Sequence, residues 1–403
     1  MRTAAVVGTG LIGTSVALAL SRRGVHVHLI DAQESAARTA AALGAGTVGA
    51  PADPVDMAVL AVPPALIGEV LAKQQANGLA RHYTDVASVK AGPERDVRTV
   101  ADPSCYIGGH PMAGREVSGP LAASATLFED RSWVLTPTAD TTKETLNRAL
   151  ELVALCGAVP VVMDSGAHDR AVALVSHTPH VLSALMAARL QHMPEDSPRL
   201  AGQGLRDVIR IAGGDPGLWA GILEANATAI ADVLGELAED ITAAVTALRG
   251  LAAGGADERA RGTAFVTDLL RRGIKGRGRV PGKPGKPPAT CTPVQVLIGD
   301  QPGELARLLA TVAELGVNVE DVSIDHSPGE HGGLVELMVA PGPAVRMIQR
   351  LTEYGWSVRR TVTHSSQEPA ELRSTSAAKP SWTPVKAKVN DGWETSNRSF
   401  RSV

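Results

Sequence analysis

The sequence predicts an α/β chain in three folded parts: a doubly wound parallel-sheet domain, an all-α domain, and a small ferredoxin-like βαββαβ unit. Three observations carry this reading. Short β-rich runs alternate with helical patterns up to Met163, strand signals vanish from about Gly166 to Leu251, and a strand-helix-strand-strand-helix-strand pattern follows a Gly- and Pro-rich stretch. A length of 403 residues leaves room for more than one domain. Hydrophobic residues at 44% and charged residues at 20% are the mixture of an ordinary core-forming chain.

The first-domain strands are expected at 3–7, 25–30, 57–62, 83–86, 132–135 and 159–163, so the domain spans 1–163. A helical domain follows at 164–270, where Ala, Leu, Val and Ile recur at helical spacing, most clearly over 222–248. Residues 271–289 are read as a basic linker, because 271–288 hold seven basic groups, five glycines and four prolines. No aromatic residue interleaves those charges for base stacking. The βαββαβ unit occupies 290–364, and the polar stretch 365–403 is expected to be disordered.

Net charge is −3, from 39 basic and 42 acidic residues, too balanced for a grip on nucleic acid. Cys105, Cys156 and Cys291 are too far apart for a disulfide framework or a Cys-x-x-Cys site. Reduced thiols and a cytoplasmic location are expected. The run Ala4 to Val7 leads straight into Gly8 and reads as a strand, not a signal peptide. No uninterrupted apolar run reaches the ~18–20 residues of a membrane span, so no membrane partner is expected.

Gly8-Thr9-Gly10-Leu11-Ile12-Gly13 follows the first strand and opens a helix, the setting that a dinucleotide fingerprint requires. Gly8 permits the tight turn, Gly10 lets backbone approach a pyrophosphate, and Gly13 allows close helix-strand contact. This makes the first domain Rossmann-type. The second strand ends in Asp31, whose carboxylate suits ribose hydroxyls and repels a 2′-phosphate; Ala32 and Gln33 supply no cation. NAD is therefore expected over NADP, held by these residues with Val62 and Ser88, and no metal is expected.

Three segments are read as carrying chemistry: Asp85 to Lys90, Gly108 to Glu116, and Ser176-His177-Thr178-Pro179-His180. Ser88 and His110 each follow a predicted strand and should face the nicotinamide, with His110 as a base. Taken singly, each residue has a plainer reading: a loop histidine, a helix cap, structural histidines beside a proline.

The Gly-His-Pro-Met-Ala-Gly-Arg-Glu run, the Ser-His-Thr-Pro-His run, and Arg206 to Arg210 with Trp219 together resemble the motif set of prephenate dehydrogenases. That family, with arogenate and cyclohexadienyl dehydrogenases, oxidatively decarboxylates prephenate or arogenate on the way to tyrosine, and the resemblance covers residues 1 to about 250. It implies His110 as the group taking the substrate hydroxyl proton, and Ser88 as orienting hydroxyl and nicotinamide. It implies Arg210 as the carboxylate clamp. Ser176, His177 and His180 would line the pocket or hold their helix in place. Asp207 either pairs with Arg206 or Arg210, or gates the site with Glu116. Trp219 is core or, as in the family, reaches a neighbouring subunit's site. Arg115 stands where a small residue is expected, which leaves open the choice among prephenate, arogenate and 4-amino-4-deoxyprephenate.

Asp300-Gln301-Pro302-Gly303-Glu304-Leu305 and Gly316-Val317-Asn318-Val319 resemble the turns of an ACT domain, an amino-acid-sensing module. Feedback by tyrosine or phenylalanine near Gly303 and Asn318 is the expectation; a structural or dimerising module is the alternative. Ala-rich helices with one apolar face over 166–250 imply a homodimer. The different-class alternative, a catalytically silent NAD and amino-acid sensor, would lack a base or a clamp. His110, Ser88 and Arg210 are all present.

Overall fold

The structure, a computed structural model, describes residues 1–114, 119–194, 200–280, 291–325 and 332–359. The first domain runs β1 (Thr3–Val7), α1 (Leu11–Arg22), β2 (His26–Ile30), α2 (Glu34–Ala42), β3 (Thr47–Val48), β4 (Met57–Leu60), α3 (Ile67–Ala76), β5 (Tyr83–Asp85), α4 (Ala91–Val100), β6 (Tyr106–Pro111), β7 (Ser132–Thr136), α5 (Lys143–Leu155) and β8 (Val159–Val162). The strands form one eight-stranded sheet in the order β3-β2-β1-β4-β5-β6-β7-β8. Its first six positions are the order of a dinucleotide-binding sheet, whose ligand crevice opens where the order reverses, between β1 and β4.

Both faces of the sheet are covered, which is why the central strands are apolar without alternation. Val16 and Leu20 of α1, Ala37 of α2 and Leu152 of α5 pack with Val6, Leu29 and Met57 on one face. Ile67 and Leu71 of α3 and Val97 of α4 pack with Ala5, Leu60 and Tyr83 on the other. Each fully buried Leu or Ile adds about 1.5–3 kcal/mol of transfer free energy, so these two layers hold the strand ends that carry the site.

The sheet departs from the sequence reading in three ways, the first being the two-residue edge strand β3 (Thr47–Val48), too short to give a pattern. Residues 106–111 are a strand, so His110 lies within β6 and not beyond a strand. The reason is Gly108-Gly109, which weakens strand propensity but is needed sterically. A Cβ on Gly108 would sit 2.4 Å from Thr136 Oγ1, and one on Gly109 2.5 Å from the Asp85 carbonyl oxygen. The sheet is also not wholly parallel: β7 runs antiparallel to β6, and β8 parallel to β7. As the edge strand, β8 leaves Val159 and Val162 exposed and carries Pro160.

The helical domain comprises α6 (Ser165–Val172), a π turn (Ala173–His177), α7 (Thr178–Arg189), α8 (Gln203–Ile209), a 3-10 turn (Arg210–Gly213), α9 (Pro216–Ala225), α10 (Ala227–Ala253) and α11 (Ala256–Arg277). Asp164 caps α6 through Ala167 N at 2.7 Å, and Asp215 caps α9 through Leu218 N at 2.8 Å. The run Ser165–His192 is long and apolar enough to cross a membrane by length and composition. It nonetheless carries His168, Asp169, His177 and His180, all buried.

Helix α11 corrects the linker reading, because residues 271–277 are its last turns. Arg and Lys are good helix formers, and Arg272 pairs with Asp268 one turn back at 3.0 Å. The rest of the basic stretch from 281, and the tail 365–403, lie outside the described residues.

The last unit runs β9 (Thr292–Gly299), α12 (Glu304–Glu314), β10 (Val319–Asp325), β11 (Gly332–Val339), α13 (Pro341–Glu353) and β12 (Ser357–Arg359). Its four-stranded sheet has the order β10-β11-β9-β12 with every pair antiparallel, the arrangement of two interleaved βαβ units. Val294, Val296, Val335 and Leu337 form its core with Leu308 and Val312 of α12 and Met347 and Leu351 of α13.

Candidate active site

The glycine turn between β1 and α1 is built by close approach. A Cβ on Gly8 would lie 2.2 Å from the Ala61 carbonyl oxygen, and one on Gly13 1.9 Å from the Gly8 carbonyl oxygen. Gly8 also has φ +98, which favours glycine. Gly10 has nothing within 4 Å of a would-be Cβ, so no packing in the fold requires glycine there and the position is open to a ligand. Leu11 and Ile12 begin α1, whose N-terminus has no side-chain cap, the kind of helix end that receives an anion. Val62 lies past the end of β4, with Cγ1 3.4 Å from the Cβ position of Gly8. Asp31 Oδ2 accepts from Thr9 N at 2.6 Å and Thr9 Oγ1 at 2.8 Å, and Oδ1 from Gln33 N at 2.8 Å. Burial opposes ionisation of Asp31, but these donors outweigh it and hold the carboxyl below its ordinary range. Asp31 thus braces the turn, and its carboxylate keeps further acceptor capacity toward a ribose. The cradle fits a dinucleotide.

His110 projects from β6 beside β5. Its Nδ1 lies 2.8 Å from Nε2 of His168, and Nδ1 of His168 lies 2.7 Å from Oδ1 of Asp169. Asp169 also accepts from Lys90 N at 2.8 Å and Ala91 N at 2.9 Å. Burial pushes its pKa up, but the His168 contact and the two amides outweigh this and hold it ionised. The protons of the chain are thereby assigned. Ionised Asp169 only accepts, so His168 carries its proton on Nδ1 and offers a lone pair at Nε2. With the His168 ring neutral, His110 donates from Nδ1, and its Nε2, which meets no partner among the described residues, is an acceptor. Burial first, then Lys90, His168 and His177, drive the His110 pKa well below 6.5, so the imidazole is neutral at neutral pH and its lone pair is available.

A second network sets the height of β6. Asp85 is fully buried and accepts from Lys90 Nζ, Tyr106 Oη, and Ala87 N at 2.7 Å. Lys90 Nζ also donates to the Gly109 carbonyl oxygen at 2.6 Å. The residue before His110 is thus tied to β5 by a buried ion pair. Burial lowers the Lys90 pKa while Asp85 opposes that.

His177 is buried, with Nδ1 3.2 Å from Asn226 Nδ2, and burial lowers its pKa against the pull of Asp169. His180 stacks on Trp219, centroids 3.5 Å apart and planes within 10°; burial lowers its pKa as well. The structure thus places Trp219, half-buried, against His180 of its own chain. Ser176, half-buried, and His177 lie in the π turn, which interrupts the single helix expected for them; such turns recur at functional sites. Ser88 is half-buried in the loop after β5. Arg210 is exposed on the 3-10 turn next to α8. Asp207 accepts from Gln203 at 2.9 Å and forms no ion pair with Arg206 or Arg210 among the described residues. Glu116 lies outside the described residues.

The sequence reading missed His168, Asp169 and Asn226, and took Asp85 and Lys90 only as part of a segment. A His-Asp dipeptide on a helix carries no spacing signal; only folding brings it to His110.

Comparisons with known proteins identify the family. Residues 16–162 match the family model described as prephenate dehydrogenase, nucleotide-binding domain, and 164–259 match prephenate dehydrogenase, dimerization domain. A probable prephenate dehydrogenase of Streptomyces niveus is 41% identical over 359 residues, 88% of this chain and 99% of its own. The crystal structure of Synechocystis arogenate dehydrogenase matches with TM-score 0.60 and 27% identity, over 68% of this chain and 99% of that one. Prephenate dehydrogenase from A. aeolicus, solved with hydroxyphenyl propionate and NAD+, matches with TM-score 0.59 and 27% identity, over 69% and 98%. With a neutral histidine at the carboxyl end of a dinucleotide-binding sheet and these matches along its length, the chain belongs to the prephenate dehydrogenase family.

Proposed function

We propose that the protein catalyses NAD-dependent oxidative decarboxylation of prephenate to 4-hydroxyphenylpyruvate. The observation that carries this is the relay of His110 Nδ1 through His168 to Asp169 at the carboxyl end of the sheet, which leaves Nε2 to act as the acceptor. Bound at the glycine turn, NAD supplies the hydride acceptor. His110 Nε2 accepts the proton of the substrate hydroxyl as that carbon loses hydride, which lowers the barrier to the developing carbonyl. Ser88 orients the hydroxyl, and Arg210, with its planar fork of donors, holds a carboxylate. Loss of carbon dioxide then completes an aromatic ring, so the carbon–carbon cleavage needs no further acid or metal.

The test is NADH formation with prephenate and with arogenate, each with NAD and NADP. Turnover of prephenate with NAD supports the reading. Turnover of arogenate alone moves the assignment to the second reading, which the Synechocystis match favours. Silence with both sends the search to 4-amino-4-deoxyprephenate, then to the sensor alternative.

The βαββαβ unit is read here as an ACT-like module for tyrosine or phenylalanine. Gly303 has φ +93 before α12, and Asn318 donates to Glu320, so both stand at element ends where a ligand's backbone groups can be met. Truncation before residue 290 should abolish inhibition by the amino acid; unchanged inhibition sinks this reading. A cytoplasmic homodimer through the helical domain completes it, supported by exposed Leu174, Val175, Leu185 and Met186.

A further inference from the structure

Asn226 stands at the N-terminus of α10, where Asn ordinarily caps its own helix, yet it makes no capping bond. Its side chain turns the other way and is 5% exposed. Nδ2 lies 2.9 Å from the Asp169 carbonyl oxygen and 3.2 Å from His177 Nδ1. A carbonyl oxygen only accepts, so the amide must present its NH2 group to Asp169, and this fixes its orientation. The second N–H of that group then meets His177. An amide nitrogen donates and does not accept, so His177 Nδ1 must hold a lone pair and the ring proton must sit on Nε2.

We propose that Asn226 is a positioning residue that holds His177 as the Nε2–H tautomer, so that His177 donates a hydrogen bond to a substrate oxygen while His110 accepts one. The inference rests on the dehydrogenase reading of the site. The two histidines are fixed in opposite senses by different partners: an ionised carboxylate acting through His168 for His110, an amide for His177. An acceptor nitrogen and a donor nitrogen on two rings within electrostatic reach of each other suit a ligand that bears a hydroxyl beside a carboxylate or carbonyl oxygen. The charged and titratable groups facing His177 are Asp169 and His168 from α6 and His110 from β6; Trp219 from α9 meets it edge-on at 6.5 Å. Burial keeps the ring neutral against Asp169, so the tautomer, and not a net charge, decides what the ring offers.

The direct test is two-bond proton–nitrogen correlation NMR on the full chain with 15N-labelled histidine, His177 being identified by its loss in His177→Gln. The expected pattern is the Nε2–H tautomer; an Nδ1–H pattern overturns the proposal whatever the protein turns over. The kinetic arm uses whichever substrate is turned over. Asn226→Ala should raise KM about tenfold or more with a smaller change in kcat, while His177→Gln, which keeps an N–H donor, should stay closer to wild type than His177→Leu. Asn226→Asp supplies an acceptor that raises the His177 pKa, so its kcat/KM should fall as pH rises through that value where the wild type is flat. A profile parallel to wild type, merely lower, would show a structural role and overturn the proposal.

Discussion

His110 and Asp169 are joined through one imidazole: His168 gives Nε2 to the first and Nδ1 to the second, at 2.8 and 2.7 Å. The carboxylate therefore decides which nitrogen of His110 is basic without touching it. Asp169→Ala removes the acceptor that keeps the His168 proton on Nδ1, so that proton can pass to Nε2 and push the His110 proton onto the nitrogen that should accept. Loss of general-base action is expected to lower kcat by about 100- to 10,000-fold with little change in KM. Steady-state kinetics with the active substrate checks this; an unchanged kcat would remove the relay from the mechanism.

Stability should fall on the acid side. His110, His177 and His180 all have pKa values lowered from 6.5, chiefly by burial. The unfolded chain binds these protons more readily, so the stabilisation is complete above the unfolded value and is lost as pH falls through it toward the folded values. Tm is expected to drop from about pH 8 to about pH 5, and to drop less in His110→Asn. Equal slopes for the two proteins would contradict the assignment.

The Asp85–Lys90 pair should respond asymmetrically. Lys90→Met leaves a fully buried carboxylate without its cation and is expected to cost about 3–5 kcal/mol, whereas Asp85→Asn with Lys90→Met should recover a large part. Denaturant melts of the two variants decide it. Because Lys90 also holds the Gly109 carbonyl oxygen, the double variant should keep its fold yet lose activity.

Two glycines of one turn should fail differently. Gly13→Ala drives a methyl into backbone and is expected to destabilise the domain by about 1–3 kcal/mol or more. Gly10→Ala meets nothing in the protein and should cost at most about 1 kcal/mol as a poorer N-cap, while weakening NAD binding. Calorimetry and NAD titration separate the two.

What was legible in the sequence follows a physical divide. The glycine turn, Asp31 and the βαββαβ order are local patterns, and the chain writes them contiguously. Strand β6 was hidden by Gly108 and Gly109, chosen for clearance against Asp85 and Thr136 and not for strand propensity. Residues 271–277 were hidden because glycines and charges mask a helix that side-chain pairing sustains. His168 and Asp169 were hidden because their partner lies 58 residues away in the chain. Nothing in local spacing records a contact made only by packing α6 against the sheet.

The rim of the sheet has a consequence for colloidal behaviour. Val159 N and Met163 N turn inward to Arg131 and Leu135, so by alternation Pro160 and Val162 face outward, and Pro160 has no N–H to give. An apolar strand at the sheet's outermost position would otherwise offer a continuous row of amides to any extended peptide, the usual seed of fibrous association. One imino acid interrupts that row and leaves Val162 as the outward donor, so the β8 rim is a poor template for strand-by-strand growth.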